Sequence, residues 1–422
     1  MSLTICLDNQ PPQYSGNETL RGQVTLQCFK PIEINEIRLT FSGVSEAKVQ
    51  KVKGSVAPAG SYRSKCVLFE KDRVLAHPDG QFFNTGTYSW PFELQFPSHA
   101  ESQTKASNWS EATSFRSDEN HPLPPTFAAK CEDALRKLDC TIAYRIHAQA
   151  FKPAGFMGKR SPYASEVLPL QFMPPLGKAD VLDVENPERT SRHQKEQIFQ
   201  LRSMLLLQEY RGRTLGIQNR LRSWFSPGQL PRFSFRVSFS CPTRMAQSTP
   251  LSCLLEITPL MEDSSVSLPP VILMQSLHIT LVSRTSARSG PSLMGSLFGE
   301  VDERIEILSR ASLDMAVSGM IDLTEKFGSL IFRPTDVSFG TFNVARTYRL
   351  CVVGRFECVG KVFDFQVPDL PVNITPGNNG ARIQDPERIL NDEILPSYTA
   401  FTPGSESIAY PEDTKGHNQT QG

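Results

Sequence analysis

Tyr88-Ser-Trp-Pro-Phe-Glu-Leu-Gln-Phe-Pro97 is the stretch on which the fold class turns. Its even positions, Tyr88, Trp90, Phe92, Leu94 and Phe96, are all apolar, with Ser89, Glu93 and Gln95 between them. A period of two puts the apolar set on one side of an extended segment, which predicts a half-buried β-strand. Pro91 has no N–H to give to a ladder, so the strand is expected at a sheet edge or beside a bulge, and Pro97 ends it.

The same alternation recurs outward from this strand. Leu3, Ile5 and Leu7 alternate, as do Val24, Leu26 and Cys28, then Ile37, Leu39 and Phe41, with Gly16, Gly22 and Gly43 as punctuation. Cys140 to Ala150 predicts a long strand with Cys140, Ile142, Tyr144 and Ile146 inward and Thr141, Arg145 and His147 outward. Short alternating runs separated by turns describe an antiparallel all-β sandwich or barrel. A second set opens at Pro231 with Phe233, Phe235, Val237 and Phe239, continues through Leu254 to Ile257, Leu277 to Leu281 and Tyr348 to Val353, and closes with Phe356 to Val367.

These patterns predict an N-terminal sandwich over 1–174, a connector over 175–230, a C-terminal sandwich over 231–375 and a disordered tail over 376–422. Residues of about 98–121 are polar and are expected to form a disordered insertion. The Ser, Arg and Gly rich run from Ser283 to Gly299 is expected to be mobile, with its serines around Ser283 to Ser292 open to phosphorylation near Arg284 and Arg288.

At 422 residues the chain is long enough for two or three cores, and two are expected. Its 44 basic and 44 acidic residues balance, which gives no global electrostatic reason to bind nucleic acid. Nine scattered cysteines without a C-x-x-C pair indicate neither a disulfide framework nor a zinc cage, and suit a reducing cytosol. No basic and apolar leader and no run of about 18 apolar residues is present, so a cytoplasmic chain is expected.

The connector has its own character. From Arg192 to Arg222 it carries Arg192, Lys195, Arg202, Arg211, Arg213, Arg220 and Arg222 against Glu196 and Glu209, and it reads as helical. Ile217, Leu221, Trp224 and Phe225 share one helical face flanked by Arg220 and Arg222, a candidate for an anionic membrane interface or for docking on a sandwich. Packing against a sandwich is the more common fate of such a face.

Three motifs together resemble the arrestin-like family, specifically fungal α-arrestin-like proteins with an arrestin N-terminal domain. They are Tyr14-Ser-Gly-Asn-Glu-Thr-Leu-Arg-Gly-Gln-Val-Thr-Leu26, Ile37-Arg-Leu-Thr-Phe-Ser-Gly43, and the opening stretch taken with Leu123-Pro-Pro-Thr-Phe127 and Thr141-Ile-Ala-Tyr-Arg-Ile146. The resemblance covers about Leu3 to Phe172, whereas Pro231 to Thr375 shares only strand rhythm and placement. It implies two immunoglobulin-like sandwiches and a non-catalytic cytoplasmic adaptor, peripheral at the plasma membrane or endosomes, that brings a WW-domain ubiquitin ligase to membrane transporters or receptors. An arrestin-fold scaffold in signalling or vesicle sorting, without ligase recruitment, is the alternative.

In that family the ligase reads a Pro-Pro-x-Tyr or Leu-Pro-x-Tyr motif, because prolines hold a polyproline helix at low entropic cost and an aromatic groove accepts them with the Tyr. Leu395-Pro-Ser-Tyr398, with Leu395, Pro396 and Tyr398 as its contacts, lies in the tail and is the leading candidate. Pro11-Pro-Gln-Tyr14 matches the pattern literally, through Pro11, Pro12 and Tyr14, but Tyr14 also opens the first family motif. A folded strand there would have to be released before a groove could take it.

Nothing in the sequence points to catalysis. Gly155-Phe-Met-Gly-Lys159 is too short for a phosphate loop, the seven histidines lack H-x-x-x-H and H-E-x-x-H spacing, and there is no G-x-S-x-G elbow. No cofactor or metal is expected.

Overall fold

The computed structural model describes all residues except 53–60, 77–81, 102–113, 119, 153–160, 176–190, 211–229, 290–296, 329, 331–335 and 378–422. Every described residue belongs to one compact unit, Met1–Gly380. That unit is built almost wholly from antiparallel strands around two apolar clusters.

The first cluster lies between two sheets. Ser2–Leu7, Thr19–Cys28 and Gly86–Gln95 form a three-stranded sheet in that order. The opposing sheet runs Pro162–Leu170, Arg136–Phe151, Glu36–Lys51, Ser61–Ala76, with Phe127–Glu132 also paired to Arg136–Phe151. Gly86–Gln95 is an edge strand, as Pro91 requires, and Pro91 sits opposite Gln23. Phe92, Leu94 and Phe96 are buried while Tyr88 and Trp90 are half-buried, so the alternation deepens along the strand.

Aromatic rings fill the centre of this cluster. Phe96 lies 4.9 Å from Phe41, 5.0 Å from Phe172 and 5.8 Å from Tyr144, and Phe41 packs edge-on against Phe69 at 4.8 Å. Each such pair contributes about 0.5–1.5 kcal/mol beyond the burial of its area. Gly43 is required here, because a Cβ would stand 2.7 Å from both the Phe69 and Tyr144 rings. The buried Tyr144 hydroxyl donates to the Pro124 carbonyl at 2.6 Å, which fixes the Leu123 to Phe127 motif against the core.

The second cluster lies between a four-stranded sheet ordered Arg192–Arg202, Arg232–Pro242, Leu254–Pro259, Gly319–Asp322 and a seven-stranded one. The main path of the latter is Arg244–Ala246, Lys361–Thr375, Val344–Cys358, Ile272–Arg288, Phe298–Arg310. Phe233, Phe235, Val237 and Phe239 are all fully buried as expected, and Ser234 and Ser238 between them are covered as well.

Three expectations are corrected. Arg192 to Arg202 is a strand, not the start of a helix, and pairs along its whole length with Arg232–Pro242. Phe199 and Leu201 point inward while Gln200 donates to the Ser234 hydroxyl, which is the period of a strand, and the 3-10 turns Met204–Leu206 and Gln208–Tyr210 follow it. The segment Ser283 to Gly299 is not a loop over its described residues: Ile272–Arg288 and Phe298–Arg310 pair through it, and Ser283, Ser286 and Ser289 are buried. Of the expected disordered insertion, Ser98–Glu101, Ser114–Asp118 and His121 are ordered parts of the fold, and Phe115 and His121 are buried. Their partners come from distant sequence, which local composition does not encode.

Candidate functional site

The two sandwiches meet along a polar seam, and residues far apart in sequence build it. Asn343 donates through Nδ2 to the Ser45 carbonyl at 3.1 Å and to the Ser64 hydroxyl at 3.0 Å, and accepts the Ser45 hydroxyl at 2.7 Å. The Ser64 hydroxyl in turn donates to the Arg288 carbonyl at 2.7 Å. Ser45 and Asn343 are fully buried, so the bonds between them are made without competition from water. Apolar contacts flank the network. Ala287, Val301 and Val344 of the second half belong to the apolar cluster of the first, and a Cβ on Gly299 would come within 2.8 Å of Leu138.

The Leu123 to Phe127 motif reaches this seam. Phe127 packs edge-on against Phe339 at 4.9 Å and lies 6.0 Å beneath the Arg346 guanidinium. Arg346 is itself buried and bonded to Glu303 at 2.9 Å, while its Nη1 donates to the Thr285 hydroxyl. The motif therefore joins the halves.

A second crossing is made by Ser114–Asp118. Phe115 sits 4.5 Å beneath the Arg288 guanidinium and 5.9 Å from Phe298, and the Arg116 amide donates to the Thr341 carbonyl at 3.0 Å. Together with Ser338, Gly340 and Arg346, this segment walls a cleft of about 430 Å³. Polar and cationic side chains converge there. Among the described residues no group of His, Cys, Asp and Glu is placed to hold a metal ion.

The predicted recognition motifs fare differently. Tyr14 is buried in the first core, 5.6 Å from Phe96, and its hydroxyl donates to the Asn9 carbonyl at 3.2 Å. Its amide donates to the Gln171 carbonyl at 2.8 Å and its carbonyl accepts from Met173 at 2.9 Å, so the backbone after Pro11 and Pro12 is stitched to the end of the domain. Leu395, Pro396 and Tyr398 lie outside the described residues, as do Ile217, Arg220, Leu221, Arg222, Trp224 and Phe225. Among the described residues no helix is long and apolar enough to cross a membrane.

Residues 3–161 match the family model for the arrestin (or S-antigen) N-terminal domain. This N-terminal part of the chain is an arrestin-like domain. The match takes in the strands from Ser2–Leu7 to Arg136–Phe151 and stops just before Pro162–Leu170, which closes the edge of the arrestin domain's larger sheet. No curated protein matches the chain. The seam residues Ser45, Phe115, His121 and Asn343 escaped the reading of the sequence, and Arg288 was read only as a neighbour of the serines around Ser283 to Ser292. A lone Phe115 in a polar run was the one local signal available.

Proposed function

We propose that this arrestin-like protein is a non-catalytic adaptor that links plasma-membrane transporters or receptors to a WW-domain ubiquitin ligase for endocytosis and sorting. The arrestin N-terminal domain is the observation that carries this reading. The sandwiches present cargo-binding surface, and the tail motif Leu395-Pro-Ser-Tyr398 supplies the ligase contact. Burial of Tyr14 supports the tail over Pro11-Pro-Gln-Tyr14, since a core tyrosine stitched on both sides cannot enter a WW groove while the domain is folded. Tethering raises the local concentration of ligase beside its target and needs no chemistry in the adaptor. The connector face around Trp224 and Phe225 adds a peripheral contact with anionic membrane, and the protein works at the plasma membrane or endosomes from the cytoplasmic side.

A pull-down of the full chain with isolated WW domains tests the ligase contact. Retention that falls at least about tenfold in Tyr398→Ala supports it; equal retention of wild type and variant, or none for either, leaves the alternative of a sorting or signalling scaffold without ligase recruitment. Flotation with phosphatidylserine vesicles tests the connector, and unchanged binding in Trp224→Asp/Phe225→Asp would remove it from the model of action.

A further inference from the structure

His121 occupies an unusual position in the seam. It is 1 % exposed and its ring lies 5.2 Å from Phe342, edge to face, across the boundary between the sandwiches. Nδ1 is 2.9 Å from the Pro122 carbonyl, and a carbonyl only accepts, so Nδ1 carries the proton. Nε2 is then a buried lone pair, and it has no hydrogen-bond partner among the described residues. A neutral ring tolerates this at modest cost. A protonated ring would place an N–H and a positive charge where no described residue accepts that N–H.

The surroundings tie that ring to the crossing segment. Phe342, on which His121 packs, gives its carbonyl to the Arg288 Nε–H, and Arg288 covers Phe115. His121, Phe342, Arg288 and Phe115 are thus linked in one chain of contacts, with the Arg116 amide bonded to Thr341 at its side. The charged and titratable groups around the ring are Arg116 and Asp118 on its own segment, His99 on the neighbouring stretch and Arg288 from the second sandwich. Of the first three, Arg116 and His99 disfavour an imidazolium and Asp118 favours it. The backbone below the ring is fixed, since the His121 carbonyl accepts from Ala100 at 2.8 Å and His99 bridges Pro122. Strain introduced at the ring therefore falls on the contact with the second sandwich.

We propose that His121 is a pH-sensitive latch: neutral, it holds Ser114–Asp118 against the second sandwich, and protonation at Nε2 releases that segment and opens the polar cleft beside Arg346. The sign follows from linkage. Burial, reinforced by Arg116 and His99 and opposed by the Pro122 carbonyl and Asp118, holds the docked imidazole below its ordinary pKa, so the released state binds the proton more readily and docking weakens as pH falls below the usual histidine range. The latch is independent of ligase recruitment, and either can fail alone.

Amide hydrogen exchange on the full chain tests it. After correction for intrinsic rates, the Arg116 amide of wild type is expected to exchange at least about tenfold faster at about pH 5.5 than at about pH 7.5, while amides of the core strand Thr19–Cys28 keep their protection. In His121→Phe and in His121→Gln the difference should shrink to less than about twofold. Two variants of different polarity are used so that misfolding of one leaves the other to decide. Absence of the acceleration in wild type, its persistence in a folded His121 variant, or its loss in His99→Gln would each overturn the proposal.

Discussion

Asn343 and Ser45, 298 positions apart, exchange two hydrogen bonds across the seam: the Asn343 amide nitrogen donates to the Ser45 carbonyl at 3.1 Å, and the Ser45 hydroxyl donates to the Asn343 side-chain oxygen at 2.7 Å. Both residues are fully buried. Truncating either leaves a partner unsatisfied in a dry interface, which is where the asymmetry between making and breaking a hydrogen bond is greatest.

Asn343→Ala is accordingly expected to cost about 2–3 kcal/mol in urea unfolding, and Ser45→Ala about 1 kcal/mol. A double-mutant cycle should return a coupling of about 1 kcal/mol between them. Additive effects would mean that the two sandwiches are held by the apolar flank around Gly299 and Leu138 rather than by this pair.

Tyr14 offers a test of core membership against ligand use. Tyr14→Ala removes a buried ring beside Phe96 and should destabilise the protein by about 3–5 kcal/mol. Tyr14→Phe loses only the 3.2 Å bond to Asn9 and should cost about 1 kcal/mol or less. Thermal unfolding distinguishes them, and near-wild-type stability of Tyr14→Ala would contradict the buried position.

Asp302 gives a pH dependence at the acidic end. It accepts from Arg284 at 2.7 and 3.0 Å and also pairs with Arg349. The hydrogen bond from Arg284 holds its carboxyl below the usual carboxylate range. A carboxylate depressed in the folded state contributes stability above its unfolded pKa of about 3.9, and that contribution is lost as pH falls through the folded value. The urea midpoint of wild type should therefore drop further between about pH 5 and pH 3 than that of Asp302→Asn. Parallel pH profiles would show the cluster to be screened by solvent.

Thiol labelling reads burial directly. All nine cysteines are free, with Cys6 exposed, Cys351 half-buried and the rest buried. Desolvation pushes the Cys66 and Cys241 thiols up to about 12, so almost no thiolate exists there at neutral pH. Native labelling should modify Cys6 first and Cys351 slowly, and the others only after unfolding. Fast modification of Cys66, at the seam beside Arg288, would show that the sandwiches separate in solution.

Period-two alternation made the strands legible without any structure. In the stretch from Tyr88 to Pro97, in Cys140 to Ala150 and in Phe233 to Phe239, each side chain's face follows from its parity alone, because a strand has only two faces. Pro91 announced an edge for a local reason, its missing N–H, whereas the close approach at Gly43 came only from the packed Phe69 and Tyr144 rings. The order of strands within a sheet, the pairing of Arg192–Arg202 and the burial of Ser283 lay beyond that reading, since each depends on which distant strand arrives alongside.

The sequence by itself thus settled an all-β chain with an arrestin-like N-terminal half, because side-chain period and turn residues act locally and leave their mark residue by residue. The tertiary structure alone decided that Tyr14 is core, that Phe115 and Phe127 bridge two sandwiches, and that His121 keeps a buried nitrogen without a partner among the described residues. Those outcomes depend on contacts between segments tens to hundreds of residues apart, and burial, dielectric and hydrogen-bond satisfaction are properties of the assembled neighbourhood rather than of any one stretch.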